Sequence, residues 1–208
     1  DKAITEMTAL YEAIPDTKGN RPMLEKVYFK LGQLFAMDKE NDLAREVYAN
    51  IRENDIFGNE AKAKALFELA GIEKRVENYR KAIELYLEFV EKHKKHIDAD
   101  NALYFAAWIH HSMKEYDDAR TLFERQIKEY PKSDVRDESL WFLAWTHFKN
   151  NQVKKAMGLL RTLVKDVPES QSAPRAAYFA AKFALRLKQD DGARAGFQKV
   201  IADYPLTY

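Results

Sequence analysis

The chain contains no cysteine, which excludes disulfide bridges and thiolate-bound zinc and suits a reducing cytoplasm or an oxidising periplasm equally. Glycine and proline are scarce, with 7 and 6 among 208 residues, so each marks a position where the backbone has a special task. No apolar run approaches the roughly 20 residues that a membrane-spanning helix requires. The opening Asp1-Lys2-Ala3 carries no signal-peptide pattern. Charge of one sign is also lacking: 34 Lys and Arg face 33 Asp and Glu, a net charge of +1. There is therefore no global basic excess to draw the chain onto nucleic acid or an acidic membrane. No Gly-rich phosphate loop, Ser-His-Asp order or Cys-His pairing is present, so the sequence offers no catalytic residue, and it calls for no cofactor and no metal.

What the sequence does contain is a rhythm. Ala82, Ala119, Ala156 and Ala193 follow one another at intervals of 37 residues, and Ala44 precedes them by 38. Twelve residues before each stands another small residue: Gly32, Ala70, Ala107, Ala144 and Ala181. Four residues after each comes a bulky apolar one (Tyr48, Tyr86, Phe123, Leu160, Phe197), one helical turn along the same face. Pro131, Pro168 and Pro205 close the last three units. Small residues let two antiparallel helices approach, large neighbours fill the adjoining groove, and proline cannot continue a helix. The pattern predicts an all-α solenoid of helical hairpins with repeats at about 23–57, 60–96, 99–131, 136–168 and 173–205 in one domain over 1–208. Ala3, Met7 and Pro15 read as the second helix of a further half repeat at 1–15, so the chain is expected to begin inside a repeat, and more protein is expected beyond Tyr208. The turn-rich stretch from Asp16 to Pro22 is a place where the array could bend.

These units resemble the tetratricopeptide repeat, whose Leu-Gly, Ala, Phe, Pro pattern has a 34-residue period. Leu31-Gly32 with Ala44 and Tyr48 matches it, and the three extra residues fall between hairpins, as in Pro131-Lys132-Ser133-Asp134-Val135-Arg136-Asp137. The resemblance implies a right-handed superhelix whose first helices line a concave side. On that side would stand Phe29 and Gln33, Phe67 and Gly71, Tyr104 and Trp108, Trp141 and Trp145, and Tyr178 and Lys182. Asn101, His111, Glu138, Lys149 and Arg175 would flank them. The candidate ligand-binding set is Tyr104, Trp108, His111, Trp141, Trp145, Arg175, Tyr178 and Lys182. Trp141 and Trp145, four apart, are expected either to form a continuous platform for a sugar or peptide side chain or to be buried as packing.

Two histidine groups have metal-like spacing. His93 and His96 read as the solvated, cation-favouring end of a helix, and His110-His111 add two more imidazoles without a metal site.

The segments Leu103-Tyr104-Phe105-Ala106-Ala107-Trp108, Leu140-Trp141-Phe142-Leu143-Ala144-Trp145 and Ala177-Tyr178-Phe179-Ala180-Ala181, with the closing Tyr204-Pro205-Leu206-Thr207-Tyr208, resemble the helical superhelix of soluble lytic murein transglycosylases. That resemblance implies a periplasmic, non-catalytic domain that holds peptidoglycan beside a covalently linked catalytic domain outside this chain. Glu138-Ser139 and Glu169-Ser170 imitate the family's catalytic dipeptide but lack its sequel, so neither takes a catalytic role. The alternative is a tetratricopeptide adaptor of the cell envelope or cytoplasm that takes a peptide or protein partner in its groove.

Overall fold

The computed structural model of the chain describes residues 17–205, together with 5, 6, 9 and 13–15. Ala3 and Met7, on which the half repeat rests, lie outside the described residues, as do Asp16 and Leu206-Thr207-Tyr208. A 3-10 turn at Lys18–Asn20 leads into α1 (Arg21–Met37), which has Pro22 in its first turn, where a missing N–H costs nothing. There follow α2 (Asn41–Glu53), α3 (Asn59–Arg75), α4 (Tyr79–Lys92), α5 (Ala99–Ser112) and α6 (Tyr116–Glu129). The last two hairpins comprise α7 (Arg136–Lys149), α8 (Val153–Asp166), α9 (Ala173–Arg186) and α10 (Asp190–Asp203). Among the described residues there is no strand, and the fold is an all-α solenoid of helical hairpins. Among the described residues no helix is long and apolar enough to cross a membrane.

Two compact units divide inside α5: unit 1 is Asp1–Ala102 and unit 2 is Leu103–Tyr208. In unit 1, α1 packs on α2, α2 on α3 and α3 on α4; in unit 2 the same succession runs from α6 to α10. Each helix thus finds its neighbours in sequence, as a chain of local hairpins must.

The recurring alanines are buried in the helix packing. Ala44, Ala82, Ala119 and Ala156 are 0% exposed and Ala193 is 2%. Tyr48, Tyr86, Phe123 and Leu160 fill the space one turn on, at no more than 1% exposure. Gly32 shows why its position stays small: a Cβ there would come within 2.7 Å of the Tyr48 ring. Gly196 is constrained likewise, since its Cβ would meet that of Ala181 at 2.9 Å.

The turn inside each hairpin is built the same way five times. Lys39, Glu77, Lys114, Asn151 and Lys188 all take left-handed backbone, with φ between 57° and 65°. The residue after each donates its N–H back across the turn: Glu40 to Phe35 O, Asn78 to Glu73 O, Glu115 to His110 O, Gln152 to His147 O and Gln189 to Ala184 O, all at 2.8–2.9 Å. This is the helix-ending pattern that usually employs glycine; here the five positions carry Lys, Glu or Asn. A side-chain clasp spans three of these turns, joining Asn78 to Glu73 (2.8 Å), His110 to Glu115 (2.7 Å) and His147 to Gln152 (2.6 Å).

Between hairpins, Pro131, Pro168 and Pro205 each stand two residues past the end of α6, α8 and α10. In three turns between hairpins a side chain accepts a backbone N–H two residues on. Ser133 accepts from Val135, Ser170 from Ser172, and the His96 ring nitrogen Nδ1 from Asp98. His96 therefore departs from the solvated helix end expected of it. Helix α4 stops at Lys92, and the His96 side chain is 7% exposed, edge-on to Phe89 at 5.2 Å. An imidazole with Nδ1 engaged by the backbone and Nε2 3.3 Å from Glu60 Oε1 is a turn-former rather than a solvated helix end.

Candidate interaction surface

The first helices of the hairpins carry the aromatic residues, because a helix set against neighbours on both sides needs apolar groups around most of its circumference. In unit 2 these are α7 and α9, with the part of α5 from Leu103 onward. Tyr104 is 8% exposed and Trp141 9%, so both contribute more to the interior than to an open platform. Trp108, Trp145 and Tyr178 are half-buried, and Lys182 is exposed. Of the two expectations for Trp141 and Trp145, platform or packing, the burial of Trp141 favours packing. Their rings meet edge to face, with centroids 5.6 Å apart and 67° between planes, and Phe179 lies against both at 5.8 and 5.0 Å. The ring quadrupole favours this T-shaped arrangement over a coplanar one.

Beside these rings stand two cations. The Arg175 guanidinium lies over the Trp141 ring at 4.3 Å, and the Lys182 ammonium stands 5.4 Å from both Tyr178 and Phe179. Both are cation–π contacts, which hold a cation in place and flatten it against the face. Arg175 donates through Nη2 to Ser172 Oγ at 2.8 Å, while its Nε is buried without a hydrogen-bond partner among the described residues. The Tyr104 hydroxyl donates to Glu138 Oε2 at 2.8 Å. Burial, and then the Glu138 carboxylate, raise the Tyr104 pKa far above that of an ordinary phenol, so it stays protonated and remains the donor.

Arg175, Ser172 and Glu138 line a pocket of about 630 Å³ where the N-terminal ends of α7 and α9 adjoin the loops that precede them. Four carboxylates line it, those of Asp134, Asp137, Glu138 and Glu169, against the single cation Arg175. Asp137 is held by a hydrogen bond from the Ser170 hydroxyl and Glu138 by Tyr104. Asp134 and Glu169 make no hydrogen bond or ion pair among the described residues. Sequence reasoning found Glu138 and Arg175 but not the other three carboxylates. Acids near a helix start are ordinary partners of the helix dipole, and only the stacking of two hairpins brings two such starts together.

His111 is fixed rather than free. Its Nδ1 lies 2.9 Å from Thr146 Oγ1, and that hydroxyl spends its own proton on Phe142 O at 2.8 Å. Nδ1 must therefore be the donor, which assigns the proton to that nitrogen. Phe142 and Tyr116 flank the ring edge-on at 5.4 and 5.5 Å. Burial, with help from the Lys149 charge, lowers the His111 pKa and keeps it neutral.

Unit 1 repeats the arrangement with different chemistry. Phe29, Gln33 and Phe67 line a pocket of about 460 Å³ with Glu68, whose pKa is raised by burial. Gly71 has room for a side chain, since its Cβ would lie 3.8 Å from the Tyr86 hydroxyl. Asn101 belongs to the end of unit 1 and is half-buried.

Among the described residues one cluster has donor atoms close enough for a metal, with His110, Glu115 and Asp118 offering atoms within 4.8 Å of one another. Its His110–Glu115 pair is the hairpin clasp that recurs as Glu73–Asn78 and His147–Gln152. A device repeated with an amide in two of three places serves the turn.

Hairpins of this length, joined in series and closed by small-residue crossings, define a class: helical-repeat scaffolds, which act by presenting surface to other proteins. A family model described as Tetratricopeptide repeat matches residues 67–134 and 141–206. This chain belongs to the tetratricopeptide repeat family, and such arrays are scaffolds for protein–protein interaction. Among solved structures it is similar to MamA, residues 41 to the end, from Desulfovibrio magneticus RS-1, with a TM-score of 0.65 and 16% identity over 88% of this chain and 96% of that one. It is also similar to YrrB, described as a TPR protein with an unusual peptide-binding site, with a TM-score of 0.62 and 13% identity over 87% of each chain. A tetratricopeptide repeat protein from Parabacteroides merdae aligns with a TM-score of 0.66 and 17% identity over 88% of this chain and 68% of that one. At these identities the likeness is one of fold. No curated protein sequence matches the chain.

Proposed function

We propose that the chain is a binding scaffold whose unit 2 takes an extended segment of a partner protein along α7 and α9, with a basic side chain of that segment seated among Asp134, Asp137, Glu138 and Glu169. The observation that carries this reading is the pocket of about 630 Å³ with four carboxylates and one guanidinium, two of the carboxylates having no internal partner. A Lys or Arg placed among these carboxylates makes charge-assisted hydrogen bonds. Arg175, the one cation of the lining, is held over the Trp141 ring at 4.3 Å. A described peptide-binding site in the similar YrrB agrees with a peptide as the ligand class.

The test is calorimetric titration with Lys-containing and Lys→Gln versions of one extended 12-residue peptide. Binding of the first is expected to fall about tenfold or more in the triple variant Asp134→Asn, Glu138→Gln, Glu169→Gln. Equal affinity of the two peptides, or no change in the variant, would overturn the reading.

The glycan-strand reading rests on the aromatic segments of the sequence and on the half-buried rings of Trp108 and Trp145. It places the chain in the periplasm as the non-catalytic part of a lytic transglycosylase. Co-sedimentation with purified murein sacculi tests it, and its success together with failure of the peptide titration would reverse the order of the two readings.

A further inference from the structure

Unit 2 carries a second candidate surface, formed by the second helices of its hairpins rather than the first. One cleft of about 510 Å³ lies over α7 between α6 and α8, and another of about 360 Å³ lies over α9 between α8 and α10. They are the same feature one repeat apart: Ile127 and Val164, Leu140 and Ala177, and Leu143 and Ala180 occupy equivalent places, each pair separated by 37 residues. Their lining is mainly apolar, as a pocket for an apolar anchor requires.

Charge at the rims is one-sided. Lys128, Arg136, Lys155, Arg161, Lys165 and Lys199 stand on them, against the carboxylates of Glu124 and Asp203 alone. Arg136 is satisfied by Asp166 at 3.1 Å, and Lys199 stands 4.0 Å from Asp203. The remaining four cations make no hydrogen bond or ion pair among the described residues. This local excess occurs in a chain whose net charge is only +1.

Two glycines give independent support. Gly158, in the middle of α8, lines the first cleft, and Gly192, in the first turn of α10, lines the second. Glycine weakens a helix relative to alanine, so inside one it calls for a reason. At Gly32 and Gly196 the reason is a collision; at Gly158 an added Cβ would meet nothing within 4 Å, and at Gly192 only Gln189 Cβ at 3.9 Å. Internal packing does not require them. Their missing side chains leave the clefts open.

We infer that these tandem clefts dock an acidic amphipathic helix of a partner protein, with apolar anchors entering the clefts and carboxylates meeting the unpaired lysines and arginine at the rims. Grooves of this kind read anchors on one face of a helix, and the rim charges supply steering and register.

The probe is a panel of fluorescein-labelled synthetic helices with two Leu anchors spaced four, seven or eleven residues apart and Glu on the flanking positions, measured by anisotropy on the full 208-residue chain. At least one member is expected to bind and to weaken about tenfold or more between 50 and 500 mM salt, because rim charges are screened. Its Glu→Lys counterpart is expected not to bind. An added Cβ at Gly158 or Gly192 displaces no neighbour, so Gly158→Leu with Gly192→Leu, whose side chains start from the cleft lining, is expected to lower affinity about tenfold or more at an unchanged or raised melting temperature. Arg161→Glu with Lys165→Glu should do the same by charge. Absence of binding across the panel, indifference to the filled glycines, or binding to anionic lipid vesicles in place of the peptides would overturn the inference.

Discussion

Unit 1 ties its hairpins together with charges, and unit 2 with rings. In unit 1 Arg45 of α2 reaches Glu73 of α3 at 2.7 Å, and Arg52 of α2 reaches Glu88 of α4 at 3.1 Å. Arg21 donates to Ile56 O, and Arg75 to Ala36 O at 2.6 Å. In unit 2 the equivalent work falls to Phe123 stacked on Phe142, Phe148 stacked on Phe183, and the Trp141–Trp145–Phe179 cluster. The difference teaches where surface charge is available. Where arginines and glutamates are consumed in joining hairpins they are not free for a partner. Where aromatic burial joins the hairpins, charges remain at a carboxylate pocket and at two basic clefts.

The largest effect expected is in the aromatic joint. Trp141→Ala removes a side chain that is 9% exposed and touches Trp145 and Phe179, and should cost about 3–5 kcal/mol in denaturant unfolding. A loss below about 1 kcal/mol would mean that the ring serves recognition instead. Next comes the ionic joint. Glu73, 7% exposed, accepts from both Arg45 and Asn78, and Glu73→Ala leaves those donors unmatched. With Arg45 open to water the cost should be about 2–3 kcal/mol. A loss in the Arg45→Met, Glu73→Ala double variant equal to the sum of the two single losses would show that the pair itself adds nothing.

The two units should also respond oppositely to acid. His111 in unit 2 has its pKa below the ordinary 6.5 because it is buried and near Lys149. As pH falls through that value the unfolded chain takes up a proton that the folded chain refuses, so this contribution to stability is lost. Glu68 in unit 1 has its pKa raised above the ordinary 4.5 by burial. Acidification protonates it first in the folded chain, which relieves a penalty carried at neutral pH. Melting curves should show Glu68→Gln stabilising at pH 7 with a gain that shrinks at pH 4, and His111→Gln reducing the loss between pH 8 and pH 5. The reverse order would contradict the burial of both groups. Smallest is the hairpin turn: Lys114 at φ 63° occupies glycine's conformation, so Lys114→Gly should gain about 0.5–1 kcal/mol.

Much of the fold was legible because helix crossings constrain residue size locally. Alanine at 37-residue intervals, a bulky residue one turn later and a proline at the end of the second helix fix the helices and their order, and the alanines are buried in the helix packing. The left-handed turns were not legible, since Lys, Glu and Asn at those positions give none of the signal that glycine would. His96 misled for a related reason: in Glu91-Lys92-His93-Lys94-Lys95-His96 it looks like one more surface cation, yet it fills the place that Ser133 and Ser170 take in later turns.

By itself, then, the sequence determined the hairpins, their number among the described residues and the small-residue seams between them, because those depend on contacts within a few helical turns. Tertiary structure alone decided the rest: Trp141 turned edge-on, Asp134 brought beside Glu169, Arg161 and Lys199 set across one cleft. Each of these juxtapositions joins residues that the stacking of hairpins brings together, and no local pattern records which face a neighbouring repeat will cover.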